Sequence, residues 1–126
     1  MHIPEGLLCS RSHSYLWELD SKFYVGITDV ALKDFGDVVS VELPEVGSFF
    51  EKEETFATVE TIKQTVELSM PVAGTIKKIN EEIIKSPEIL NESPYEHGWL
   101  LEVSPDDVQA DAVDLLEYED YVDEMF

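Results

Sequence analysis

The sequence predicts a small, mainly β domain: a sandwich or barrel of many short strands, with a short helix near residues 28–36 and a helical segment at the C-terminus. Three observations lead there. The chain has 126 residues, 44% of them apolar and 10% aromatic, which suits one compact hydrophobic core. Short runs rich in β-branched and aromatic residues recur along it, and clusters of Gly, Pro, Asp and Ser separate them. Apolar residues at helical spacing are confined to two places.

The strand candidates, in order, are YLWEL (15–19), FYVGI (23–27), VVSVEL (38–43), TFATVET (55–61), TVELSM (65–70), GTIKKI (74–79) and WLLEV (99–103). Turn chemistry lies between them: Asp20-Ser21, Gly36-Asp37, PEVG (44–47), Pro71 with Gly74, and SPYEHG (93–98). TDVALKDFG (28–36) opens on a Thr/Asp cap and closes on Gly36, the ends a short helix requires. From SPDDV onward, Val108, Ala112, Leu115, Val122 and Met125 recur at spacings of three and four, opposite Asp111, Asp114, Glu119, Asp120 and Asp123. That pattern predicts an amphipathic terminal helix lying on the barrel, broken near Leu116, with Tyr118 and Tyr121 as its anchors. EEIIKSPEILN (81–91) reads as a loop or a single helical turn bounded by Pro87 and Pro94.

Charge narrows the function classes. Twenty-eight acidic residues stand against eight Lys plus Arg, a formal net charge of -20, and Lys85 is the last basic residue. Such a field repels nucleic acid and favours partners with a basic surface. No apolar run reaches the roughly 18 residues a membrane-spanning helix needs, so a cytoplasmic protein without a membrane partner is expected. The lone Cys9 fits a reducing compartment. His2, Cys9 and His13 match no zinc spacing, and residues 1–11 read as an unstructured N-terminal arm, with a single domain over 12–126. His97 is expected in an exposed loop. Trp17, Phe23, Tyr24, Phe35, Phe56 and Trp99 are expected in the core. No acid–base pair, Ser-His-Asp grouping or phosphate loop points to an enzyme.

One residue stands apart. Lys63, in TVETIKQTVELSMP (58–71), is the only cation between Lys52 and Lys77. A nucleophilic lysine needs apolar burial or a cationic neighbour, and Glu60 and Glu67 are the wrong company for it. An ordinary surface lysine and an attachment handle both remain open on the residues alone. No Gly or Asn marks a turn at Ile62-Lys63, and one long strand fits the local pattern almost as well as a hairpin.

Five blocks in order narrow the choice. They are Ser12-His13-Ser14-Tyr15; VGITDVALKDFGDVVSVELPEVG (25–47); Val59-Glu60-Thr61-Ile62-Lys63; MPVAG (70–74), whose Pro71 lies eight residues beyond the lysine; and NEEIIKSPEILNESPYEHGWL (80–100). From about Ser12 to the C-terminus the chain resembles the H protein family of the glycine cleavage system, the lipoyl carriers. The lipoyl segment of that family is usually Val-Glu-Ser-Val-Lys.

The resemblance implies a barrel-sandwich hybrid of the lipoyl-domain type, monomeric, with Lys63 at a hairpin tip carrying lipoate in amide linkage. Lipoate ligase, or an octanoyltransferase followed by lipoyl synthase, would install it. The carrier would shuttle the aminomethyl intermediate of glycine between a pyridoxal-phosphate glycine decarboxylase, an aminomethyltransferase and dihydrolipoamide dehydrogenase. Glu60, Glu67, Ser12 and Ser14 are carried over as residues around the cofactor, Glu60 as part of what the modifying enzymes read.

Two stretches depart from the family pattern. Ser14 stands where a glutamate usually helps hold the loaded arm, so Ser14→Glu is expected to strengthen that hold. Gln64-Thr65-Val66-Glu67 replaces a run of small residues ending in an acid. H-like carriers of other lipoate systems, in sulfur oxidation or lipoyl relay, are the alternative. Biotinyl carriers place methionine on both sides of the lysine, whereas here Ile62 and Gln64 flank it.

Overall fold

The computed structural model describes residues 2–126. The chain runs β1 (Leu8–Cys9), β2 (Ser14–Leu19), β3 (Lys22–Ile27), α1 (Asp29–Phe35), β4 (Val38–Glu42), β5 (Phe49–Phe50), β6 (Thr55–Thr61), β7 (Thr65–Ser69), β8 (Gly74–Ile79), α2 (Glu81–Lys85), α3 (Ile89–Glu92), β9 (Leu101–Pro105), α4 (Val108–Asp111), β10 (Leu116–Glu117) and α5 (Tyr118–Met125). Two antiparallel sheets result, ordered β10-β1-β2-β3-β9-β8-β5 and β4-β6-β7. The mainly β barrel-sandwich class expected from the sequence is the fold observed.

The main core lies between the sheets. Val25, Ile27, Val59, Leu68, Val72, Ile83, Leu90, Leu100 and Leu101 are each fully buried there. Alternation explains the strands: in β6, Val59 and Thr61 point inward while Glu60 points out. Register shifts, one between Val38 and Ser40 and another between Thr55 and Ala57, bend the smaller sheet. The α1 ends are as predicted. The Thr28 hydroxyl accepts from the Ala31 N–H at 3.3 Å, and Gly36 leaves the helix at φ 93°, where a side chain is strained.

Three expectations change. Residues 7–9 are not an unstructured arm: Leu8 pairs with Leu16 on β2 and with Glu117 on β10, and Leu7 and Cys9 are buried. Burial pushes the Cys9 thiol up to about 12, with the charge of Asp29 adding to it. His13 is likewise half-buried, its Nδ1 2.7 Å from the Tyr121 hydroxyl. Among the six aromatics assigned to the core, Phe56 is buried and Phe23 and Phe35 pack against the core part-buried. Trp17, Tyr24 and Trp99 instead form a half-covered row of neighbouring rings, Trp17–Tyr24 at 6.1 Å and Tyr24–Trp99 at 5.2 Å. Their size lets them cover part of the sheet's face while leaving a polar end wet.

The C-terminal segment is more broken than one interrupted helix. After α4 and a 3-10 turn (Ala112–Asp114), Leu115 turns extended and Leu116–Glu117 joins the edge of β1. An available strand edge outcompetes the short acidic helix there. Ion pairs Arg11–Glu124 and Lys52–Asp114 tie this segment to the body, and Asp111 Oδ2 accepts from the Ala73 N–H at 2.9 Å. Tyr121 is the anchor expected of it, at 0% exposure. Residues 81–91 form two short helices, the first capped by Asn80. The Asn80 amide also donates to the carbonyls of His97 and Trp99. His97 is exposed as expected. No helix among the described residues is long and apolar enough to cross a membrane.

Candidate functional site

Strands β6 and β7 form a hairpin whose register runs Val59–Val66 and Glu60–Thr65, leaving Ile62, Lys63 and Gln64 at the tip. All three are exposed. The turn is closed by the Thr61 N–H donating to the Gln64 carbonyl at 2.8 Å. The rest of its organisation comes from one side chain. The Thr61 hydroxyl, on a residue 6% exposed, donates to the Phe35 carbonyl at 2.7 Å and accepts from the N–H groups of Lys63 (3.2 Å) and Gln64 (3.1 Å).

The tip is also docked on the corner where α1 passes into β4. The Ile62 N–H donates to the Asp37 carbonyl at 3.0 Å. Asn91 holds that corner from below: its side-chain oxygen accepts from the Val38 N–H at 2.8 Å and its amide donates to the Gly36 carbonyl at 3.3 Å. A Cβ built on Gly36 would stand 3.3 Å from both Cγ and Cδ of Lys63, so the lysine stem lies directly against that glycine.

The outward face of the small sheet is acidic. Glu60 is exposed and accepts from the Ser40 hydroxyl at 3.0 Å, and Glu67, opposite Thr58, is exposed two strand positions further from the tip. Among the described residues Lys63 makes no ion pair. A primary amine that is exposed, unpaired and carried on a packed stem fits amide attachment of a long acyl group, which needs access more than a perturbed pKa.

Ser12 and Ser14 lie elsewhere. Ser69 ends β7 six residues beyond Lys63, roughly 20 Å along a strand, and the Ser14 hydroxyl donates to its carbonyl at 2.9 Å. Ser14 is completely buried, with the Ser10 hydroxyl a further 2.9 Å partner. Ser12 is exposed on the rim of an open cleft of about 500 Å³, lined also by Ser10, Arg11, Lys52, Glu53 and Ser69. Lys63 and Glu60 thus share the tip, Glu67 lies along the same face, and the two serines sit at the far end of β7. No group of three or more His, Cys, Asp or Glu suited to a metal occurs among the described residues.

Sequence reasoning overlooked Thr61, Gly36 and Asn91. A threonine two residues before an exposed lysine is a weak signal, since Ser and Thr hydroxyls commonly close such turns. The Gly36 and Asn91 contacts join residues 26 to 55 positions apart and had no local signature.

Comparison with known proteins agrees with this geometry. The family model for the glycine cleavage H-protein matches residues 7–126. The glycine cleavage system H protein of Oceanobacillus iheyensis is 40% identical over 121 residues, covering 96% of this chain and 95% of that protein. That of Anaeromyxobacter sp. is 43% identical over 107 residues, 85% of this chain and 84% of that protein. A crystal structure of a glycine cleavage system H protein from Mycobacterium marinum superimposes with a TM-score of 0.86 at 30% identity, over 97% of this chain and 98% of that one. With nearly the whole chain matched in sequence and in fold, it belongs to the glycine cleavage H-protein family.

Proposed function

We propose that the protein is the lipoyl carrier of a glycine cleavage system, with lipoate in amide linkage to Lys63. The observation that carries this reading is the exposed Lys63 amine at the tip of a docked hairpin, in a chain of the H-protein family. When bound, the lipoyl group would supply a disulfide able to take up the aminomethyl unit left by glycine decarboxylation and to be reoxidised after its release. The chain's own part is mechanical. The hairpin holds the attachment point rigid, so a flexible arm samples several partner sites at high effective concentration. The protein is in this view a shuttled substrate of other enzymes and catalyses nothing itself.

The partners are then a pyridoxal-phosphate glycine decarboxylase, an aminomethyltransferase and dihydrolipoamide dehydrogenase. Lipoate ligase, or octanoyltransferase with lipoyl synthase, would act before them. The net charge of -20 supports partners with basic surfaces. Glu60, exposed three residues before the lysine, supports a role in what the acylating enzyme reads.

One observation favours a second reading, a carrier for another lipoate-dependent reaction. Ser14 is neutral and buried where the family resemblance implies a carboxylate over the arm. A two-stage experiment separates the readings. Intact mass spectrometry after incubation with lipoate ligase should give one lipoyl increment, mapped to Lys63; no increment removes the carrier reading. The lipoylated protein should then support bicarbonate exchange by glycine decarboxylase, and failure beside a working control carrier removes the glycine role alone.

A further inference from the structure

We infer that Thr61 and Gly36 are positioning residues that fix the direction in which the Lys63 amine leaves the body, and so set how well the acylating enzyme captures it. The inference rests on Lys63 being the attachment lysine and deepens that reading.

The tip residues cannot account for the tip. Hairpin turns that match strand twist usually place residues at positive φ, hence Gly, Asn or Asp. Ile62-Lys63-Gln64 has none of these, and none of the three appears among the described residues with positive φ. A β-branched residue followed by two long side chains carries no turn signal of its own. Besides the backbone bonds of Thr61 and Ile62, what organises the turn is the Thr61 hydroxyl. It takes two consecutive tip N–H groups as acceptor and passes its own hydrogen to the Phe35 carbonyl on α1. The same oxygen therefore shapes the turn and bolts it to the helix exit.

Gly36 completes the arrangement. Its missing Cβ lets the Cγ and Cδ of Lys63 lie close over the backbone there, and an added carbon at 3.3 Å from both would shift the stem by a few tenths of an ångström. Lysine stems are otherwise among the least ordered parts of a surface. With the inner carbons held against the corner, only the outer bonds remain free. The amine thus departs from a stem whose root has a defined direction.

The physical consequence is on capture. If the presented conformation is populated by only a fraction of molecules, apparent affinity falls by that fraction, while turnover of the captured complex is unchanged. Thr61→Val keeps the shape and β-branching but has no hydroxyl. Thr61→Ser keeps the hydroxyl. For lipoate ligase acting on the intact apo-protein, Thr61→Val should raise KM for the carrier by about 3- to 10-fold with kcat unchanged. Thr61→Ser should return KM to within about 2-fold of wild type.

Amide hydrogen exchange at Lys63 and Gln64, measured on the same unmodified proteins, should accelerate in the valine variant and not in the serine variant. Unchanged KM and unchanged exchange in Thr61→Val would overturn the inference. So would a serine variant no better than valine. A wild-type chain that takes no lipoyl group at Lys63 would instead sink the carrier reading, leaving the exchange measurement to judge the turn. Should valine prevent folding, Thr61→Ala adds no bulk and carries the same prediction.

Discussion

Tyr121→Phe removes one oxygen from the most enclosed polar contact of the C-terminal helix. The Tyr121 hydroxyl lies 2.7 Å from His13 Nδ1 and 2.7 Å from the Thr28 hydroxyl, on a residue with 0% exposure. Thr28 is itself the cap of α1, so the atom joins the C-terminus, the residue before β2 and the start of the helix whose far end holds the Lys63 turn. Each hydrogen bond is worth about 1 kcal/mol net, and leaving a buried partner unmet costs about 1–3 kcal/mol. Phenylalanine fills the same volume, so no cavity cost is added. The expected loss is about 2 kcal/mol. Urea unfolding should show an unchanged m-value and a lowered midpoint. By the usual scaling for a domain of this size, the melting temperature should fall by about 8 °C. A loss below about 0.5 kcal/mol, the size of an ordinary surface substitution, would refute the picture of Tyr121 as the polar anchor of the terminal helix.

Other outcomes are expected. Lys63→Arg keeps the charge and should leave stability within about 0.5 kcal/mol while abolishing any lipoyl increment in the intact mass; an increment on the variant would assign the attachment to another lysine. Ser14→Glu, which family pattern alone suggests should strengthen the hold on a loaded arm, places a carboxylate at a fully buried position. It should instead cost about 3 kcal/mol and give no gain in bicarbonate exchange, and a stable variant with faster exchange would show the carboxylate reaching the surface. Burial lowers the His13 pKa against an opposing pull from Asp34, so the folded state prefers the neutral ring. Its contribution is complete above the ordinary value of 6.5 and is lost as pH falls through that value, levelling off below the lower folded-state pKa. His13→Gln should therefore flatten the stability profile just below pH 6.5, and an unchanged slope in urea titrations would exclude His13 as its source.

The amino-acid sequence alone determined the features whose causes are local. Alternation placed β6 and β8 at the residues observed, and Thr28 and Gly36 bounded α1 because a cap hydroxyl and a positive-φ residue act within one turn of chain. Lys63 could be singled out because a lone cation in an acidic stretch is a sequence property. Its presentation could not be read the same way, since the hairpin there depends on contacts distant in sequence, among them the Thr61 hydroxyl meeting Phe35 and Gly36 meeting the lysine stem. Tertiary contact likewise decided the N-terminal strand: Leu8–Cys9 is too short to signal itself and exists because β2 and β10 offer it edges on both sides. It also decided the fate of Ser14, whose polar side chain reads as surface until the carbonyl of Ser69 comes within hydrogen-bonding distance. Periodicity and capping are written over a few neighbouring residues, whereas burial and side-chain partners belong to pairs that only folding brings together.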